Sequence, residues 1–127
     1  MSSLALHLVQ RAGGEIKTVE YTIDAEIGTA YETVVTPASG KKLCILDVTF
    51  TPLNTTTLAY LGLASGAANP SIWIVSGFKC LNVVQSVPVN LSSAPAIGGV
   101  DWLLRGGVAA AANTCDVVVH YVELPNG

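Results

Sequence analysis

The sequence predicts an all-β fold, an antiparallel two-sheet β-sandwich, with a jelly roll as the preferred topology. Apolar and polar residues alternate along several runs, turn-forming residues recur at short intervals, and no window shows a clear helical period. The length of 127 residues suits one domain with a sizeable core. An immunoglobulin-like sandwich is the alternative. Trp73 lies between Cys44 and Cys80, but nothing directs the chain to a compartment where that fold's disulfide would form.

Residues 1–14 are predicted to form an apolar N-terminal arm, and residues 15–127 a single β-sandwich domain. Ser3 could cap a short helix that ends at Gly13, but the leucines of the arm also alternate as in a strand, so both conformations remain open. The apolar side chains of the arm are Leu4, Leu6, Leu8 and Val9. Because Gly13 and Gly14 separate the arm from the first clear strand pattern, we expect it to hold onto a neighbouring subunit.

Three runs alternate between apolar and polar side chains, as half-buried strands do. They are Lys17 to Asp24, Lys42 to Thr51 and Thr114 to Glu123. One predicted face of the second run carries Cys44, Leu46, Val48 and Phe50, and the other carries Leu43, Ile45, Asp47 and Thr49. Because this second face is only partly polar, we expect protein to cover it. The third run is predicted to place Val118 and His120 outward and Cys115, Val117, Val119 and Tyr121 inward.

Shorter runs rich in Val, Ile, Thr and aromatic residues predict the remaining strands. They are Ala30 to Thr36, Thr57 to Leu63, Ser71 to Val75, Phe78 to Val84, Val87 to Leu91 and Val100 to Arg105. We interpret Gly77, Gly98-Gly99 and Gly106-Gly107 as turns or bulges between them. Trp73 and Trp102 lie inside apolar runs, which favours packing in the core or an interface over stacking against a sugar.

Composition and spacing argue against several classes of function. The formal net charge is -3 and the six Lys and Arg residues are scattered, so the basic surface of a nucleic-acid-binding protein is not expected. The two histidines are His7 and His120, and no metal-ligand spacing or phosphate-binding glycine motif is present. Asp116 and His120 share a predicted strand face but lie roughly 13 Å apart, too far for a catalytic pair. We therefore expect no enzyme, metal or cofactor.

Cysteine usage and the N-terminal sequence indicate a reducing compartment. Cys44, Cys80 and Cys115 lie far apart and are odd in number, so we expect buried, inert thiols instead of disulfides. Met1 to Val9 has no basic residue and only a short apolar run, unlike a secretory signal. No apolar stretch approaches the roughly 18 residues needed to cross a bilayer, so no membrane partner is expected.

The low charged fraction, 12%, and the apolar residues on both faces of several strands predict large interfaces with other chains. The residues predicted to form these interfaces are Leu4, Leu6, Leu8, Val9, Leu43, Ile45, Val118 and His120. A homo-oligomer is expected, because a monomer would leave outward side chains such as Leu43, Ile45 and Val122 in water.

Two runs resemble segments of small β-sandwich structural proteins of tailed bacteriophages. The first, Thr36 to Thr49, contains the turn Pro37-Ala38-Ser39-Gly40-Lys41 and a strand of alternating apolar residues, before a Thr- and Asn-rich loop at Asn54 to Thr57. The second, Gly106 to Glu123, ends in Tyr121-Val122-Glu123. Together they cover about a quarter of the chain. Trp73, Trp102 and the apolar first ten residues depart from the family pattern.

The resemblance implies a capsid decoration or cement protein, a homotrimer of jelly rolls on the capsid surface of the virion, made in the host cytoplasm. Such a protein bridges neighbouring subunits of the major capsid protein and has no active site to carry over. A head-fibre or tail protein remains an alternative. A receptor- or carbohydrate-binding module is another, and it would require Trp73, Trp102 or Tyr60 to lie exposed.

Overall fold

The computed structural model describes residues 3–11, 13, 15–24, 31–52, 58–66, 69–79, 87–91, 95–108 and 114–125, which form one helix and nine strands. In chain order these are α1 (Ser3–Arg11), β1 (Lys17–Ile23), β2 (Glu32–Val35), β3 (Lys41–Pro52), β4 (Leu58–Ala64), β5 (Ile72–Lys79), β6 (Val87–Asn90), β7 (Ala96–Val100), β8 (Leu103–Val108) and β9 (Cys115–Pro125). The three predicted alternating runs are therefore strands β1, β3 and β9.

Two antiparallel sheets contain all of these strands. One sheet has the order β1, β9, β3, β6, with β7 also paired to β3, and the other has the order β2, β8, β4, β5. The paired strands are nested along the chain. β4 and β5 form the innermost pair, β3 and β6 enclose them, β2 and β8 enclose those, and β1 and β9 form the outermost pair. This nesting is that of a jelly roll, in which a long hairpin folds over into two Greek keys. The predicted all-β two-sheet sandwich is confirmed.

The main core lies between the two sheets and is lined by side chains from both. Its largest fully buried members include Phe50, Ile23, Leu61, Leu63, Leu104 and Val119. Strand β8 continues through Gly106, which the sequence placed in a turn, and β5 likewise continues through Gly77. A Cβ on Gly106 would lie 2.8 Å from Cδ1 of Ile23 and 3.0 Å from the Tyr60 carbonyl oxygen, so glycine permits this close packing of the sheets.

A β-bulge in β3 changes which residues face the core. Ile45 lies opposite Tyr121 of β9 and Asp47 lies opposite His120, so Leu46 is the extra residue. The carbonyl of Leu46 accepts a hydrogen bond from the Leu91 backbone N–H at 2.9 Å. Because the bulge reverses the alternation, Leu43 and Ile45 belong to the core together with Val48 and Phe50. The single predicted face from Cys44 to Phe50 is therefore wrong, as is the outward placement of Leu43 and Ile45.

Helix α1 packs against the outer face of the five-stranded sheet of its own chain. Leu8 and Val9 are buried there in a second apolar cluster whose other members are Cys44, Leu46, Val122 and Leu124. The expectation that monomeric protein would leave Val122 in water is therefore wrong, because the helix covers it. Ser3–Arg11 of the arm form a helix, and Leu8 and Val9 are buried within their own chain.

The run from Thr36 to Thr49 and the run from Gly106 to Glu123 meet at the turn before β3. Glu123 of β9 accepts a hydrogen bond from the Ala38 N–H at 3.2 Å and forms an ion pair with Lys17 at 3.3 Å. Gly40, with φ of 79°, donates its N–H to Oδ1 of Asp101 at 2.7 Å. Asp101 itself has φ of 63° in the corner between β7 and β8, and its N–H bonds to the Lys41 carbonyl. These contacts fix where the chain crosses between the sheets.

Candidate functional site

Four large apolar side chains remain exposed around α1. Leu4 and Leu6 are 48% and 50% exposed on the helix itself. Ile97 of β7 is 39% exposed and lies opposite Cys44, which the helix covers. Ile16 is 42% exposed and precedes β1 on the outer face that it shares with Thr18 by strand alternation. We call Leu4, Leu6, Ile16 and Ile97 the helix surface.

The helix has a wider apolar arc than its docking on the sheet requires. Successive helical residues turn by about 100°, so Leu8 and Val9 lie at the centre of the arc, with Leu4 and Leu6 on opposite edges. The whole arc spans about 200°, roughly twice the stripe with which a surface helix packs on one core. Of the four predicted interface residues in the arm, Leu8 and Val9 are therefore buried, and Leu4 and Leu6 remain exposed and available for contact with another chain.

Val118 and His120, the remaining predicted interface residues, lie half-buried on the outer face of β9. His120 faces Thr18 on β1 and Asp47 on β3, and Asp47 faces Asn90 on β6, so these four form a polar row across the sheet. His120 Nδ1 lies 2.6 Å from Oδ1 of Asp47, and each side chain is about 40% exposed. A contact this open to solvent orients His120 but contributes little to stability.

The partner of His120 is therefore Asp47 on β3. It is not Asp116, the acidic residue on the same strand as His120. Asp116 instead accepts a hydrogen bond from Oγ1 of Thr22 at 2.6 Å. Asp47 and His120 are 73 positions apart in the chain, and only the antiparallel register of β3 and β9 brings them together. No local pattern could have indicated this pair.

Three aromatic side chains meet on the outer face of the other sheet, and we call Tyr31, Tyr60 and Trp73 the aromatic patch. The Trp73 ring centroid lies 6.0 Å from that of Tyr31 and 6.2 Å from that of Tyr60, with interplanar angles of 60° and 67°. Trp73 remains 41% exposed in spite of both contacts. Trp73 therefore does not pack in the core, and packing in an interface with another chain stays a prediction. Burial raises the pKa of Tyr31, and the nearby Tyr60 raises it further.

Trp102, in contrast, is partly buried against the main core. A Cβ on Gly99 would lie 2.6 Å from its indole Nε1, and one on Gly98 would lie 3.3 Å from its Cβ. The register of β3 and β7 shifts at these two glycines, so they form the bulge that the sequence allowed. The predicted packing of Trp102 in the core is confirmed.

The cysteines that the structure describes are buried. Cys115 belongs to the main core, and Cys44 lies beneath α1 in the second cluster. Burial raises the pKa of the Cys44 thiol from 9.0 to about 11, which disfavours the reactive thiolate. The prediction of buried thiols is confirmed for these two, and Cys80 lies outside the described residues.

The described residues contain neither a metal-binding cluster nor a membrane-spanning helix. Within the described ranges, no three His, Cys, Asp or Glu residues are grouped as a metal ion would require. No helix in the same part of the chain combines the length and hydropathy of a membrane span. No protein-family model matches the sequence, and comparison with curated proteins gives no match. Among the described residues, the exposed large apolar side chains other than Ile72 belong to the helix surface or the aromatic patch.

Proposed function

We propose that this chain is a structural virion protein, a capsid decoration protein of a tailed bacteriophage that bridges neighbouring subunits of the major capsid protein as a homotrimer. The resemblance of two runs to phage structural proteins and the jelly-roll topology support this proposal. The observation that carries it is the helix surface, where four of the six exposed large apolar side chains in the described residues lie on the side of the molecule that α1 covers. Such a cluster fits an interaction site.

The helix surface suits contact with several partners at once. Each of its side chains is roughly half exposed, so covering one completely would contribute about 1 kcal/mol. Four such side chains contribute about 4 kcal/mol per subunit before the cost of ordering. This is weak for one contact, but three linked subunits that bind together add their contributions, which is how a decoration protein holds a capsid junction.

A polar replacement on the helix tests this role without removing the helix. In the double variant Leu4→Gln and Leu6→Gln, the new side chains keep good helix propensity and the docked residues Leu8 and Val9 stay in place. The loss of about 2 kcal/mol per contact predicts roughly thirtyfold weaker binding of one subunit to capsids assembled without the protein, and a larger loss for a trimer whose three contacts add. Ile72→Gln is the matched control, since Ile72 is exposed on the opposite sheet.

Capsid binding is measured by co-sedimentation, the mass of the free protein by light scattering, and its fold by thermal melting. We expect wild type and Ile72→Gln to form a trimer of about 39 kDa, three times 13.1 kDa, and to bind capsids alike. The double variant should melt normally and bind weakly. Equal capsid binding by the double variant and the control would exclude the helix surface as the contact.

A further inference from the structure

We infer that the aromatic patch is a saccharide-binding site in which a pyranose ring stacks on Trp73, a function separate from the proposed virion contact. The C–H groups on one face of a pyranose are apolar, and its hydroxyl groups need hydrogen-bond partners at the edge. Trp73 supplies an exposed indole of the size of one sugar ring, and Tyr31 and Tyr60 stand at its sides. The site thus combines one apolar plate with nearby phenol hydroxyl groups.

Polar side chains complete the surroundings of the plate. Arg105 of β8 lies opposite Gly62, and Trp73 lies opposite Gly62 on the other side, so Arg105 and Trp73 share the outer face of this sheet. Ser76 lies opposite Tyr60 and is exposed. Hydroxyl and guanidinium groups at the border of an aromatic surface are the groups that orient a polyhydroxylated ligand.

The patch is held in place by the backbone beneath it. A Cβ on Gly62 would lie 2.8 Å from both the Ile72 carbonyl oxygen and Cβ of Pro70, so glycine lets the start of β5 close over β4. The Arg105 guanidinium donates a hydrogen bond to the Tyr31 carbonyl, which ties Tyr31 to β8. A site whose aromatic groups are already positioned loses less entropy when a ligand binds.

The size and charge of the patch favour a saccharide over a macromolecular partner. Trp73 and Ile72 are the exposed large apolar side chains on this sheet among the described residues, and strand alternation turns Ile72 away from Trp73. One exposed indole is far smaller than the roughly 800 Å² that each partner contributes to a standard protein interface. The net charge of -3 disfavours a nucleic acid, whose bases could also stack on the indole.

Calorimetric titration of the full-length protein with cellotriose, maltotriose and chitotriose tests the inference. We expect at least one trisaccharide to bind and to change the tryptophan fluorescence. Trp73→Ala should weaken that binding by about tenfold or more. The affinity of Trp73→Phe, which keeps a smaller ring, should lie between those of wild type and Trp73→Ala. Ile72→Ala is the matched control, because it removes an exposed apolar side chain from the same strand and should bind like wild type.

Melting curves and light scattering accompany each titration, so that loss of fold or of assembly is separated from loss of binding. A folded Trp73→Ala protein that binds the trisaccharide as wild type does would overturn the inference, as would the absence of binding for all three sugars. A Trp73→Ala protein with a changed oligomeric mass and no wild-type sugar binding would assign the patch to a protein interface. None of these outcomes alters the test of the helix surface.

Discussion

Replacing Leu8 with alanine should uncover Cys44 without unfolding the sandwich. Leu8 is only 5% exposed and packs in the cluster that contains Cys44, which is itself fully buried. Truncating a buried leucine costs about 2–5 kcal/mol, and a helix on the outside of a sheet can partly relax, so we expect about 2–3 kcal/mol. The cost falls on the docking of α1, because Leu8 makes no part of the core between the sheets.

The rate at which a thiol reagent labels Cys44 measures this undocking directly. When opening and closing are fast, the rate follows the population of the open state. A loss of 2–3 kcal/mol therefore predicts roughly 30- to 150-fold faster labelling, up to the point where the helix is mostly undocked. The assay uses a Cys80→Ser background, so that the signal comes from Cys44 and Cys115 alone.

Two internal comparisons separate undocking from other effects. Cys115 lies in the main core and should be labelled only on global unfolding, at a rate set by the stability of the sandwich. Leu4→Ala removes a leucine from the exposed edge of the same helix and should change Cys44 labelling by no more than about twofold. If Leu8→Ala accelerates the labelling of Cys115 as much as that of Cys44, or leaves the labelling of Cys44 as slow as in wild type, the second cluster does not open independently of the main core.

The remaining predictions concern the corner, the bulge and pH. Asp101→Ala should lower the free energy of unfolding by about 2 kcal/mol in denaturant titrations, because it removes the hydrogen-bond acceptor for the Gly40 N–H and keeps a Cβ at positive φ. Asp101→Asn, which keeps a side-chain oxygen as acceptor, should lower it less. Gly99→Ala should cost about 1–3 kcal/mol by the same measurement, because its Cβ would overlap the Trp102 indole, and an unchanged midpoint would contradict that packing. Burial raises the pKa of Cys44 from 9.0 to about 11, so the buried neutral thiol contributes fully to folding stability below pH 9, and this contribution is lost as the pH rises through 11. Cys44→Ala should therefore flatten the decline of the free energy of unfolding over this pH range, measured by denaturant titration.

Strand positions could be predicted because half-buried strands show their alternation directly in the sequence. The runs around β1, β3 and β9 were visible for this reason, and the short spacing of turn residues indicated a sandwich. The inward face of β3 could not be predicted, since the extra residue Leu46 appears only when the register with β9 is known. Similarly, the pair Gly106-Gly107 indicated a turn or bulge in the sequence, but the position of Gly106 against Ile23 appears only when the two sheets are packed.

The candidate sites were less accessible to sequence analysis than the fold. Leu4 and Leu6 stood out as apolar residues near the N terminus, but nothing showed that Leu8 and Val9 would dock on the same chain. Tyr31 precedes β2 and Trp73 lies in β5, at opposite edges of one sheet. Their rings meet only because Gly107 of β8 and Gly62 of β4 leave the outer face between them open. Because strand order is set by long-range pairing, no local pattern carries it.

Counting this chain in purified virions tests the proposed function most directly. Quantitative mass spectrometry of virions produced from the genome that encodes the chain should find it on the order of hundreds of copies, in fixed ratio to the major capsid protein, as a symmetric shell requires. A few dozen copies or fewer would assign it to a head fibre or a tail. Its absence from particles that contain the other structural proteins would contradict the proposal that it is a virion component.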